Sequence, residues 1–465
     1  MLASQLAAVL AAAQPGVTET LAVVDGLDDA LVHGLSRLGG EQTAALTALA
    51  SAVAVTPLGD RVGEAIEKIK AGSIGDEHLA ALAAARSALL GAVHDELLTG
   101  LDTALGRTRA PWQAGATPAQ AAGGPRGGAR SWLGELAITG WHGVDHELVS
   151  GGAQAIDAVL SDPASRRLAV LLDGLAAELR TASPVATMEL IPARRWADLW
   201  TRAVLLSQSA WTGAATAEAV TGRLMVLGAD LHEHATAVQI EVHGILETPD
   251  GAVRLVRAAV SAAKVDTIVG PAVWKLFADH PVLTTALAER RSIELTGMPL
   301  LDGGDLVWIE EHAAPGEPAD PFTTARVRLP AAVAPASQPL DRHPARIAEP
   351  VLVEGYTVSA AEDSLTFDLG GGTVAIDLDR LPAAGPITKE LLAASTACLG
   401  LLRWDAGDWT LQPLALQATV KKKPAEAHTA DWAQGPTDPK IVKAAARAGD
   451  AVAVLRERAG RLLRK

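Results

Sequence analysis

At 465 residues the chain is too long to fold around one hydrophobic core, and a composition 49% apolar and 20% charged excludes bulk disorder. A formal charge of −14 weighs against a surface coated in phosphate-binding residues, and therefore against nucleic acid as the main partner. Cys398 is the single cysteine, so this chain can form no intrachain disulfide or cysteine-based zinc site, and a reducing, cytoplasmic setting is expected.

The opening stretch MLASQLAAVLAAAQPG has no Lys or Arg ahead of its apolar run, so no secretory signal is expected. No stretch reaches the roughly 20 strongly apolar residues of a membrane span, and no membrane association is expected. Residues 1–108 read as a helical domain. From Asp76 to Leu105, residues Leu79, Leu82, Leu89, Val93, Leu97 and Leu101 recur at helical spacings, with Glu77, Arg86, Asp95 and Asp102 marking the expected solvent side. Residues 109–130 fall to Gly, Pro and Ala without periodicity, which predicts a linker. Residues 131–215 return to helix. Within Ala193–Trp211 a stripe of Trp196, Leu199, Trp200, Ala203 and Leu206 predicts indoles anchoring a helix–helix contact.

Residues 216–311 predict a β-rich domain with hairpins and one helix. Val238, Ile240 and Val242 alternate with Gln239, Glu241 and His243, the period of a half-buried strand whose polar face, His243 included, is expected in water. Thr248-Pro249-Asp250-Gly251 supplies the turn into a second strand from Val253 to Val260. A helix is expected around Trp274–Arg290. A strand pair, Ser292–Leu300 and Leu306–Glu310, follows, joined by a glycine turn at Gly303 and Gly304. The proline-rich run 312–345 predicts a second linker with one strand at Ala325–Leu329. Short strands across 346–420 predict a small barrel or sandwich. Residues 421–465 hold eleven Lys/Arg against five Asp/Glu, a basic tail with an amphipathic helix that leaves residues 1–420 at −20. The fold class predicted is multidomain α+β: helical bundles in the N-terminal half, antiparallel β-rich units in the C-terminal half, and a basic C-terminal helix.

Several patterns could carry chemistry. His232, His234 and His243 offer imidazoles within one strand pair, and His232 and His234 share a face if the segment is extended; a divalent ion such as zinc is the cofactor they would hold. His142 and His146 stand four apart, as in helical zinc motifs, although Gly143 occupies the place of the general base. Ser261 and Lys264 form an SxxK resembling the serine β-lactamase motif, without a downstream KTG. Asp368-Leu369-Gly370-Gly371-Gly372-Thr373 resembles the phosphate loop of the actin-like ATPase superfamily. Its flanks, Leu365, Phe367 and Leu369 against Val374, Ile376 and Leu378, read as an ordinary hairpin. Lys421, Lys422, Lys423, Arg456, Arg458 and Arg461 form the candidate partner-binding set.

The stretch Gln417–Lys465 and the segment RWADLWTRA (Arg195–Ala203) resemble bacterial accessory proteins encoded beside a MoxR-type AAA+ ATPase, a von Willebrand factor A protein and a SWIM zinc-finger protein. The resemblance implies a role beside an ATPase motor, with the AAA+ ATPase or the von Willebrand factor A protein as partner, and transfers no catalytic residue. The expectation is a non-enzymatic adaptor or scaffold without a cofactor. The rivals are a metal-dependent hydrolase using the histidines and a nucleic-acid binder using the small β domain and basic tail.

Overall fold

The computed structural model describes residues 3–11, 14–112, 126–208, 217–362, 364–405, 407–448 and 451–462. Helices dominate the N-terminal half and two mixed sheets the C-terminal half, giving a multidomain α+β protein.

Helices α1 (Ala3–Ala11), α2 (Val17–His33), α3 (Gly40–Val53), α4 (Gly59–Lys70) and α5 (Asp76–Leu105) precede α6 (Gly127–Thr139), α7 (His146–Gly151), α8 (Ala153–Leu160), α9 (Arg166–Ala182) and α10 (Ala193–Ser207). The 30-residue α5 stops at Gly106, whose φ of 64° a side chain would strain. Leu79, Leu82 and Leu89 enter a core shared with Leu27 and Leu31 of α2, Leu172 of α9, and Trp196 and Trp200 of α10. Both indoles anchor helix contacts: the Trp200 N–H donates to the Leu133 carbonyl at 2.9 Å and that of Trp196 to Glu178 at 3.1 Å. Trp211 and residues 113–125 of the first expected linker lie outside the described residues.

Two side chains expected in water on α5 are buried. Arg86 is 0% exposed and grips Asp28 of α2 with two bonds, at 2.7 and 2.9 Å. Asp102 receives Arg109 at 2.9 and 3.2 Å, and Arg109 also reaches Glu349 at 3.2 Å. A charge pattern assigns such groups to solvent because Asp28, which pairs with Arg86, and Glu349, which shares Arg109 with Asp102, are remote in sequence. α1 and the end of α5 leave the helical core, and Leu6, Leu97 and Leu101 pack with the second sheet.

The first sheet contains β1 (Ala217–Glu233), β2 (Ala237–Glu247), β3 (Val253–Ala263), β4 (Arg291–Leu301), β5 (Asp305–Leu306) and β6 (Ala313–Pro318), in the order β1-β2-β3-β5-β4-β6. β1 also pairs with β4, which closes the sheet into a small barrel. Val238, Ile240, Val242, Val256, Ala258 and Ile293 fill its interior, together with Leu283 of α11 (Pro281–Glu289). The strand expected at Leu306–Glu310 shrinks to the two residues of β5. There the Glu310 carboxylate accepts from the Val282 N–H and the Trp308 indole, and the chain turns to satisfy the start of α11.

The proline-rich run is packed into the fold. β6 lies in it, and helix α12 (Pro321–Arg328) stands where a strand was expected at Ala325–Leu329. Asp320 accepts the Thr323 N–H at 2.7 Å and Pro321 opens the first turn, a helix start hidden among prolines. Phe322 and Leu329 are buried against both sheets.

The second sheet contains β7 (Ala348–Glu354), β8 (Thr357–Ala360), β9 (Leu365–Asp368), β10 (Thr373–Ile376), β11 (Ser395–Asp405) and β12 (Asp408–Val420), in the order β7-β11-β12-β10-β9-β8. β13 (Lys423–His428) adds to β12, and α13 (Lys389–Ala393) leads into β11. The Asp368–Thr373 glycines form the turn of the β9–β10 hairpin, with Val374 opposite Phe367. Met225, Leu227, Ile245 and Leu255 on the outside of the barrel pack on Leu352, Leu399 and Ala415 of this sheet. A Cβ added to Gly228 would lie 2.7 Å from the Leu414 Cβ, so the two sheets meet at that glycine.

After β13 the chain ends in α14 (Pro439–Ala448) and α15 (Ala451–Leu462); Leu463 lies outside the described residues. Among the described residues no helix is long and apolar enough to cross a membrane.

Candidate functional site

The three histidines of the β1–β2 hairpin occupy three different environments. Asp230, 3% exposed, faces the seam between barrel and second sheet. It holds His232 Nε2 at 2.8 Å and Arg403 at 2.9 Å, and accepts from the Gln412 amide at 2.6 Å. Burial alone would raise the Asp230 carboxyl, but the hydrogen bond and charge of His232, with Arg403, outweigh it and hold the carboxyl below its ordinary value. The same bond raises His232 against a smaller opposing effect of burial.

His243 is 1% exposed rather than in water, because the polar face of β2 is covered by the second sheet. Its Nε2 lies 3.3 Å from Glu241 but is not aligned for a hydrogen bond, and burial pushes the imidazole down to about 4. His234 is exposed in the turn, where its backbone N–H closes onto the Ala237 carbonyl at 2.8 Å. The fold therefore does not bring these imidazoles together. Among the described residues no group of three or more His, Cys, Asp or Glu side chains is arranged to hold a metal ion.

The other motifs resolve into structural parts. His142 lies in a 3₁₀ turn, whereas His146 opens α7 behind Asp145, which accepts the Leu148 N–H as the helix cap. The two histidines therefore do not share a helix. Lys264 is buried, and its ammonium donates to Glu233 at 3.0 Å and to the Ile268 carbonyl at 3.1 Å, while Ser261 is exposed on β3. In the glycine turn the Gly370 N–H donates to Asp368 at 2.9 Å, a local bond of the hairpin.

Of the basic set, Lys421 and Lys422 form the tight turn between β12 and β13, with φ of 50° and 62°, and Lys423 begins β13. Arg458 is exposed on α15; the side chains of Arg456 and Arg461 lie outside the described residues. Lys421–Lys423 thus belong to a β turn and Arg458 to a separate helix, two elements apart in the chain.

Sequence reasoning missed a large apolar cleft among the described residues. Between the barrel and α14 lies a cleft of about 750 Å³. One wall is the 3₁₀ segment Gly270–Phe277, which presents Pro271, Trp274 and Phe277; the other is α14, which presents Ile441 and Ala444. Trp274 is fixed by its N–H, donated to the Ala384 carbonyl at 2.8 Å. Such a volume lies within the range of ligand and peptide pockets, and its apolar walls suit burial of side chains from another molecule. The readable signal was the Trp274/Phe277 pair three apart and a second apolar stripe, Ile441 and Ala444, beside lysines. What could not be read was that the 163 residues between Phe277 and Ile441 would bring the two stripes face to face.

No protein-family model matches the chain, and no curated protein matches it.

Proposed function

We propose that this chain is a non-enzymatic adaptor that holds another protein in the cleft between Gly270–Phe277 and α14. The partner in this reading is a MoxR-type AAA+ ATPase or von Willebrand factor A protein, as the resemblance of the C-terminal stretch implies. The observation that carries the reading is the cleft itself, an apolar trough flanked by a terminal helix pair with Val442 46%, Val454 46% and Leu455 37% exposed. Exposed aliphatics beside an open apolar trough mark a surface for macromolecular contact. Sedimentation of the purified chain with each purified candidate tests it. A complex that is weakened when Ala444→Trp fills the trough is expected; no complex with either at micromolar concentrations would refute the assignment of partner.

A further inference from the structure

We infer that the segment received by this cleft is an acidic amphipathic helix, a conclusion that rests on the adaptor reading and specifies the partner's chemistry. On α14, Ile441 and Ala444 line the trough, while Lys440, Lys443 and Arg447, at i, i+3 and i+7, form a second stripe on the neighbouring face of the same helix. All three cations are exposed, and none has an ion-pair partner among the described residues. Like charges at these spacings repel one another, and the body of the chain is strongly acidic, yet the stripe stands unneutralised on the helix that walls the apolar trough. Carboxylates arriving on the flank of a docked helix relieve that repulsion, while its leucine-like face enters between Trp274, Phe277 and Ile441. The trough is concave and its apolar walls are recessed, a shape that fits a helix better than a flat bilayer surface.

The test uses the full chain and a labelled synthetic peptide of about 18 residues, Leu at helical i, i+3, i+4, i+7 spacing and Glu elsewhere, followed by fluorescence anisotropy. Micromolar binding is expected, weakening as salt rises from about 0.05 to 0.5 M. The combined Lys440→Glu, Lys443→Glu, Arg447→Glu variant, altered only at exposed positions, should bind about ten-fold more weakly. Ala444→Trp should abolish binding by filling the trough. Equal binding of a peptide with Lys in place of Glu, an unchanged affinity in the triple variant, or capture by phosphatidylserine-rich vesicles without peptide binding would overturn the inference. A complex with the ATPase or von Willebrand factor A protein that the triple variant leaves intact would overturn it while sparing the adaptor reading. Peptide binding without either complex would refute the assignment of partner and leave the inference standing.

Discussion

Asp230 shows how much a single buried carboxylate organises: it joins a histidine of the barrel to an arginine and a glutamine of the second sheet. Because His232 is raised by that bond, its contribution to stability is present below the ordinary imidazole value and lost as pH rises through the raised one. The depressed Asp230 contributes above its unfolded value and loses that contribution in acid. Asp230→Asn should return His232 toward about 6.5, read from an NMR titration of the imidazole. His243 acts in the opposite sense. Between about 6.5 and the fold's value of about 4, the unfolded chain binds a proton that the fold excludes, so stability falls as pH drops through that window. His243→Leu should flatten this acid limb, by up to about 3 kcal/mol in urea unfolding at successive pH values. Arg86→Met leaves Asp28 buried without its cation and should cost about 3–5 kcal/mol by the same measurement. None of these pairings was legible in the sequence, where Arg86 counts as solvent-facing and His243 as the wet side of a strand. Asp28 lies on α2, away from Arg86, and Arg403 and Gln412 lie on the second sheet, away from Asp230, and a local period cannot register such partners.

Elements whose apolar positions are local were legible. The alternation around Val238–Val242 and the mirrored flanks of Gly370–Gly372 fixed two hairpins, and the Trp196/Trp200 stripe fixed a helix contact. Where turn chemistry was unusual the reading slipped. Lys421 and Lys422 occupy left-handed backbone positions that such hairpin turns normally give to Asn and Gly, so the sequence read as a charged tail instead of a turn into β13. Lys422→Gly should therefore stabilise the chain by about 1 kcal/mol, seen as a raised denaturation midpoint with unchanged fold. α12 was missed for the complementary reason: its cap Asp320 and opening Pro321 lie in a run whose composition suggests a linker.

At the scale of the molecule, the helical half, the barrel and the second sheet are joined by buried contacts, including α1 and α5 against the second sheet and the barrel wall against β7, β11 and β12. The overall α+β division was legible from periodicity, but this joining was not, because it depends on close approaches such as Gly228 against Leu414. Gly228→Val should force the sheets apart, cost about 1–3 kcal/mol, and speed proteolysis at the seam. The same assembly places Gly270–Phe277 opposite α14 and so creates the cleft on which the functional reading rests. Hydrogen–deuterium exchange of the full chain, with and without a saturating purified MoxR-type AAA+ ATPase or von Willebrand factor A protein, tests that reading most directly. Adaptor binding at the cleft predicts slowed exchange at 269–278 and 436–448. Protection confined to the helical half, or none at all, would contradict it.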